Sequence, residues 1–200
     1  MHLLSGGRGA SSGTVGGGFG NAEGGKNVNI ESLYPAELNL GVAKGNSVDS
    51  AFNRFKNKYG TANREYGVML DRDGYALEHN KGEKHAVGFY TDVQDGTFIH
   101  NHPSGSNFSD TDLNTFANTK IKTLIATSSN GVTKGDYKIT KTNHFDDKGF
   151  EKAVKNAKWD ESKYSYNTGA DWWLKKNADK YGYKYTSTGV QKAGKGENGW

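Results

Sequence analysis

The apolar positions Val48, Ala51, Phe52, Phe55 and Tyr59 recur at three- and four-residue spacing behind the capping candidates Asn46 and Ser47 and ahead of Gly60. This pattern predicts an amphipathic helix over 48–59. The signal then changes to strand: Tyr66–Leu70 and Tyr75–Leu77 flank Asp71-Arg72-Asp73-Gly74, a hairpin turn without the further ligands of a calcium loop. Residues 86–90 and 97–100 read as two more strands bounded by Gly and Asp. Beyond Ser109, Leu113, Phe116 and Ala117 share a helical face, and Ser109 with Asp112 three residues on has the arrangement of an N-terminal cap. Thr123–Thr127 and Tyr137–Thr140 read as strands joined by a turn at Asn130-Gly131. Phe150, Val154 and Ala157 mark one late helix, and Ala170–Tyr181 a second. The pattern as a whole is that of an α/β protein.

Both ends depart from it. Residues 1–25 hold ten glycines interleaved with Ser, Ala and Asn, too little apolar content to offset the entropy of ordering. We therefore expect a flexible tether over 1–30, one main domain over 31–142 and a helical, lysine-rich extension over 143–200. At 200 residues the chain has room for one ordinary domain and an appendage. The aromatic share of 12% argues that this domain has a real core.

Composition narrows the chemistry. With no Cys, disulfides, thiolate metal sites and cysteine nucleophiles are excluded, so any metal must be held by His, Asp or Glu. The net charge of +4 is matched by residues 141–200 alone, with twelve Lys against eight Asp plus Glu. We read this as a solvated helix face rather than a nucleic-acid surface. The C-terminal Trp and Tyr residues, at helical spacing, read as core. The start lacks a basic segment and a long apolar run, and no stretch approaches a membrane span, so synthesis and residence in the cytoplasm are expected.

The segment that carries chemistry runs from Phe98 to Asp112. His100 and His102, two residues apart at a strand end, project from the same face and can grip one ion together. Pro103 ends the strand, and Ser104-Gly105-Ser106-Asn107 lets the chain double back so that a helix starts beside the histidines. Asp112, in its first turn, can supply a third ligand. Three protein ligands with an open fourth position is the arrangement of a catalytic zinc. By position the best general base is Glu65, with Glu78 and Glu83 as alternatives. Ser109 can donate a hydrogen bond to a developing oxyanion. Ser109 and Asp112 also suit a helix start on structural grounds alone, and a carboxylate spent on the cap is not expected to serve as a ligand as well. The remaining histidines, His2, His79, His85 and His144, read as surface residues. The consecutive His-Asn-His is not the dispersed triad of HNH nucleases.

His100-Asn-His102-Pro-Ser-Gly followed by Ser109-Asp-Thr-Asp112 resembles the metal motif of the JAB/MPN (JAMM) metallopeptidases, in particular their RadC-like and phage- or toxin-associated branches. The likeness covers about residues 60–140, with six residues between His102 and Ser109 where the common family form has seven. It implies a curved mixed β-sheet flanked by helices, the JAB/MPN and cytidine-deaminase-like arrangement. It also implies Zn2+ on His100, His102 and Asp112, Glu65 as base and acid, and Ser109 polarising the intermediate. The expected activity is hydrolysis of a peptide or isopeptide bond in a protein or peptide substrate. The Gly-rich start resembles segments of phage head-morphogenesis proteins, which would make phage structural proteins the partners. The expectation from a different class is a non-catalytic assembly module that keeps the fold.

Overall fold

The computed structural model describes residues 1–4, 18–19, 29–33, 47–130 and 134–189. Asn46, the turn residue Gly131, most of the Gly-rich start and the last residues lie outside them. Nine strands and four helices are described: β1 His2–Leu4, β2 Glu31–Ser32, α1 Val48–Tyr59, β3 Tyr66–Leu70, β4 Ala76–Lys81, β5 Val87–Phe89, β6 Thr97–Asn101, α2 Asp110–Asn118, β7 Thr123–Ser128, β8 Gly135–Lys141, α3 Asp147–Asn156, α4 Tyr166–Tyr181 and β9 Tyr183–Ser187. Each helix begins where a side-chain oxygen takes an otherwise orphaned amide: Ser47 from Ser50, Ser109 from Asp112, Asp146 from Gly149 and Ser165 from Thr168.

Seven strands form one mixed sheet in the order β2-β4-β3-β6-β7-β8-β9, and β1 pairs with β5 in a second, two-stranded sheet. Within the main sheet β6 and β7 run parallel, while the other neighbours are antiparallel. A parallel pair requires a crossover, and α2 supplies it. The carboxyl end of β6 and the start of α2 are therefore brought to the same end of the sheet.

Alternation along the strands sorts the core. Val68, Leu70, Ile99 and Ile125 pack against Ala51, Phe55 and Tyr59 of α1 on one face. Met69, Phe98, Leu124, Ala126, Tyr137 and Ile139 belong to a second cluster with Leu113 and Phe116 of α2 and with residues of α3 and α4. His100, two positions from Phe98, falls on this second face.

Both ends are more integrated than the sequence suggests. Leu4 of β1 is fully buried, and Phe19 packs edge-on against Trp159 and Trp173 with ring centroids 4.8 and 5.1 Å apart, so parts of the segment read as a tether are packed. The region read as an extension shares the main core through Phe150, Val154, Trp173, Leu174 and Tyr183, and β9 extends the main sheet beside β8. Among the described residues no helix is long and apolar enough to cross a membrane.

His79 also differs from expectation. It is 2% exposed, directly opposite Val68 on the adjoining strand, and neither ring nitrogen has a hydrogen-bond partner among the described residues. Polar neighbours on β4 conceal its burial in the sequence. His85 and His144 are exposed, as read, and His2 is half-buried. Burial pushes the His79 imidazole down to about 4. The unfolded chain takes up a proton near the ordinary histidine value while the folded chain refuses it, so stability is full above about pH 6.5 and falls as pH drops toward 4. With a chelator present, wild type should lose stability across that interval more steeply than His79→Leu, by up to about one proton's linkage. Denaturant midpoints against pH measure this, and identical slopes would refute it.

Candidate metal centre

The centre forms where β6 ends. His100 and His102 share a face, with ring centroids 4.6 Å apart and Nε2 atoms 2.8 Å apart. The turn after them closes when Gly105 N–H donates to His102 C=O at 2.9 Å. Gly105 has φ 73°, a left-handed value that a side chain disfavours, which is why glycine stands there. The chain then reaches Ser109, and α2 starts with Asp112 turned back toward the histidines.

Asp112 does two things at once. Its Oδ2 accepts the Ser109 amide at 2.7 Å while Ser109 Oγ accepts the Asp112 amide at 3.2 Å, a reciprocal capping box. The same carboxylate lies 3.6 Å from His100 Nε2 through Oδ1 and 3.5 Å from His102 Nε2 through Oδ2. Capping therefore does not withdraw it from the histidines, contrary to the sequence-based expectation. The cap bond to the Asp112 amide uses a lone pair of Ser109 Oγ and leaves its proton uncommitted by that bond.

The three side chains are 0–1% exposed, and their ligand atoms lie within 4.8 Å of one another. Among the described residues this is the one convergence of three such groups. His102 Nδ1 donates to Ser106 C=O at 2.7 Å, which fixes the tautomer and leaves Nε2 with its lone pair directed at His100 and Asp112. Burial, reinforced by His100, pushes His102 down to about 4, so it stays neutral near pH 7. Burial alone would raise the Asp112 carboxyl. The hydrogen bond from His100, the neighbouring imidazoles and the Ser109 amide outweigh it and hold the group below the usual carboxylate range.

The donor set fits a cation. A buried carboxylate and facing imidazole nitrogens are costly together unless a proton or metal ion lies among them. Two nitrogens on a tetrahedral zinc stand about 3.3 Å apart, close to the 2.8–3.6 Å separations found here. His100, His102 and Asp112 could hold a metal ion.

No family model, curated protein or solved structure matches this chain.

Glu65 is fully buried just ahead of β3, its backbone tied to the next hairpin by Glu65 N–H to Glu83 C=O at 2.7 Å and Gly82 N–H to Glu65 C=O at 2.8 Å. The ladder pairs Gly67 with His100. The ladder stops at that pair, and Glu65 and His102 each lie two residues beyond it on their own segments. The alternatives are engaged elsewhere. Glu78 accepts the amides of Tyr90 and Thr91 at 2.8 and 2.7 Å, and Glu83 accepts the Asn29 amide at 3.1 Å.

Sequence reasoning overlooked Asn101. Lying between the two histidines, it points away from them and brackets the neighbouring chain: its Nδ2 donates to Arg64 C=O at 2.9 Å, and its Oδ1 accepts the Tyr66 amide at 2.7 Å. One carboxamide thus fastens the backbone on both sides of Glu65, where the β3–β6 ladder has ended. The strand's alternation carries the hint, because the residue between two ligands must face the opposite side. Asn101→Ala strips a donor and an acceptor of their partners and should cost about 1–3 kcal/mol in denaturant unfolding. A loss below roughly 0.5 kcal/mol would show that the bracket contributes nothing.

Proposed function

We propose that the chain is a zinc-dependent amide hydrolase of the JAB/MPN kind, acting on a peptide or isopeptide bond. The observation that carries the reading is the convergence of His100, His102 and Asp112, fully buried, on one point at a strand end. His100 Nε2, His102 Nε2 and a carboxylate oxygen of Asp112 would hold the ion, a His2-carboxylate set that favours zinc over magnesium or calcium. When bound, zinc supplies a Lewis acid that makes water nucleophilic near neutral pH.

The remaining roles belong to the protein. Glu65 accepts a proton from the attacking water as its oxygen bonds the carbonyl carbon, and returns that proton to the nitrogen as the C–N bond breaks. Its full burial beside the end of the β3–β6 ladder suits it to this, because a dry carboxylate needs little reorganisation. Ser109, held by its cap bond beside Asp112, donates to the carbonyl oxygen as negative charge develops there. A hairpin, a strand ending in His100-Asn101-His102, a helix carrying Asp112 and a returning strand follow one another in the order that the resemblance leads one to expect, which supports the reading.

A second reading is favoured by the capping box. Asp112 has a folding role that needs no reaction, so the centre could pin a non-catalytic interaction module. The two readings separate at Glu65. Zinc-loaded wild type and Glu65→Gln should each retain about one zinc, and only wild type should generate new amino termini or release amines from a peptide library and from lysine-linked isopeptides. The loss expected for removing the base is roughly 10²–10⁴-fold. Two metal-loaded proteins with indistinguishable product spectra would contradict the hydrolase reading and leave the interaction module.

A further inference from the structure

The tautomer of His102 depends on the carbonyl of Ser106, which lies in the loop over 103–108 with no regular structure of its own. Its position is set from elsewhere in the chain. Asn167, at the start of α4, accepts the Asn107 amide on Oδ1 at 2.8 Å and donates from Nδ2 to Gly105 C=O at 3.2 Å. A single carboxamide therefore holds the residue on each side of Ser106. Further bonds secure the same loop: Tyr137 hydroxyl to Gly105 C=O at 3.2 Å, Asn107 Nδ2 to Tyr185 hydroxyl at 2.8 Å, and Tyr166 hydroxyl to Phe108 C=O at 2.6 Å.

Of these residues, Asn167 alone bonds both neighbours of Ser106, whose carbonyl bonds His102. Tyr137 and Asn167 share Gly105 C=O, so loss of one leaves that oxygen bonded, whereas the Asn107 amide has Asn167 as its acceptor. We infer that Asn167, on a helix outside the β6–α2–β7 unit that bears the ligands, is a positioning residue of the metal centre. It holds Ser106 C=O on His102 Nδ1, keeps the Nε2 lone pair directed at the ion and so sets metal affinity. This rests on the metal-site reading and extends it: the region after residue 143 becomes part of the site. Groups that orient a ligand histidine through its second nitrogen ordinarily govern affinity by roughly 10–100-fold.

The test is zinc affinity by competition with a chromophoric chelator, together with the visible absorption of the Co2+-loaded protein. The proteins compared are wild type, Asn167→Ala, Asn167→Asp and Val154→Ala, the last a core change on α3 that lowers stability without touching the loop. Asn167→Ala should bind zinc about tenfold or more weakly with an altered Co2+ spectrum. Asn167→Asp, which keeps the acceptor for Asn107 N–H and serves if the alanine variant does not fold, should fall between. Val154→Ala should melt earlier but bind as wild type. Asn167 variants that fold and match wild type in both readouts would overturn the inference while leaving the metal site standing. A wild type that binds neither ion would overturn the site itself, and the inference with it.

Discussion

A charged carboxylate buried at a helix start is the constraint on which the rest of the structure turns. Asp112 is taken wholly out of water, at a cost of several kcal/mol unless its oxygens find partners. The Ser109 amide and the positive end of α2 supply part of that compensation, and the imidazoles of His100 and His102 face the remainder. The same capping box fixes the residue at which α2 begins, and the parallel crossover fixes where α2 lies relative to the end of β6. Helix start, crossover and ligand separation are thus a single geometric solution, and a change to any of them alters the others.

The parts legible in the sequence were those decided locally. The helix over Val48–Tyr59 was readable to its boundaries because its cap, its apolar stripe and its terminating glycine lie within one short window. His100, His102 and Asp112 were readable as one group because a strand end and a helix cap each have a short-range signature. Asp112 was underestimated because a carboxylate has two oxygens, and the sequence does not show that the cap and the histidines can draw on them together.

What stayed hidden was decided across the fold. β1 is three residues long and leads into a Gly-rich segment, so its pairing with β5 and the burial of Leu4 have no periodic signal. β9 follows α4 after a left-handed Gly182 and falls within the region read as a helical extension, although it lies in the sheet beside β8. His79 sits in a polar stretch, and its burial becomes apparent only once β3 and β4 are paired and α1 covers their outer face. Of the contacts that hold the loop after His102, those of Asn167 and Tyr185 come from sixty positions or more further along the chain. Such a distance leaves no trace in local pattern, and it is why the C-terminal region looked like an appendage.

The measurement that tests the central claim most directly is metal content of the purified protein by elemental analysis, beside His100→Ala and Asp112→Ala. The account expects about one zinc per chain in wild type, with loss of the metal in both variants while they remain folded. A wild type that stays metal-free after zinc is supplied, or variants that retain a full complement, would contradict it.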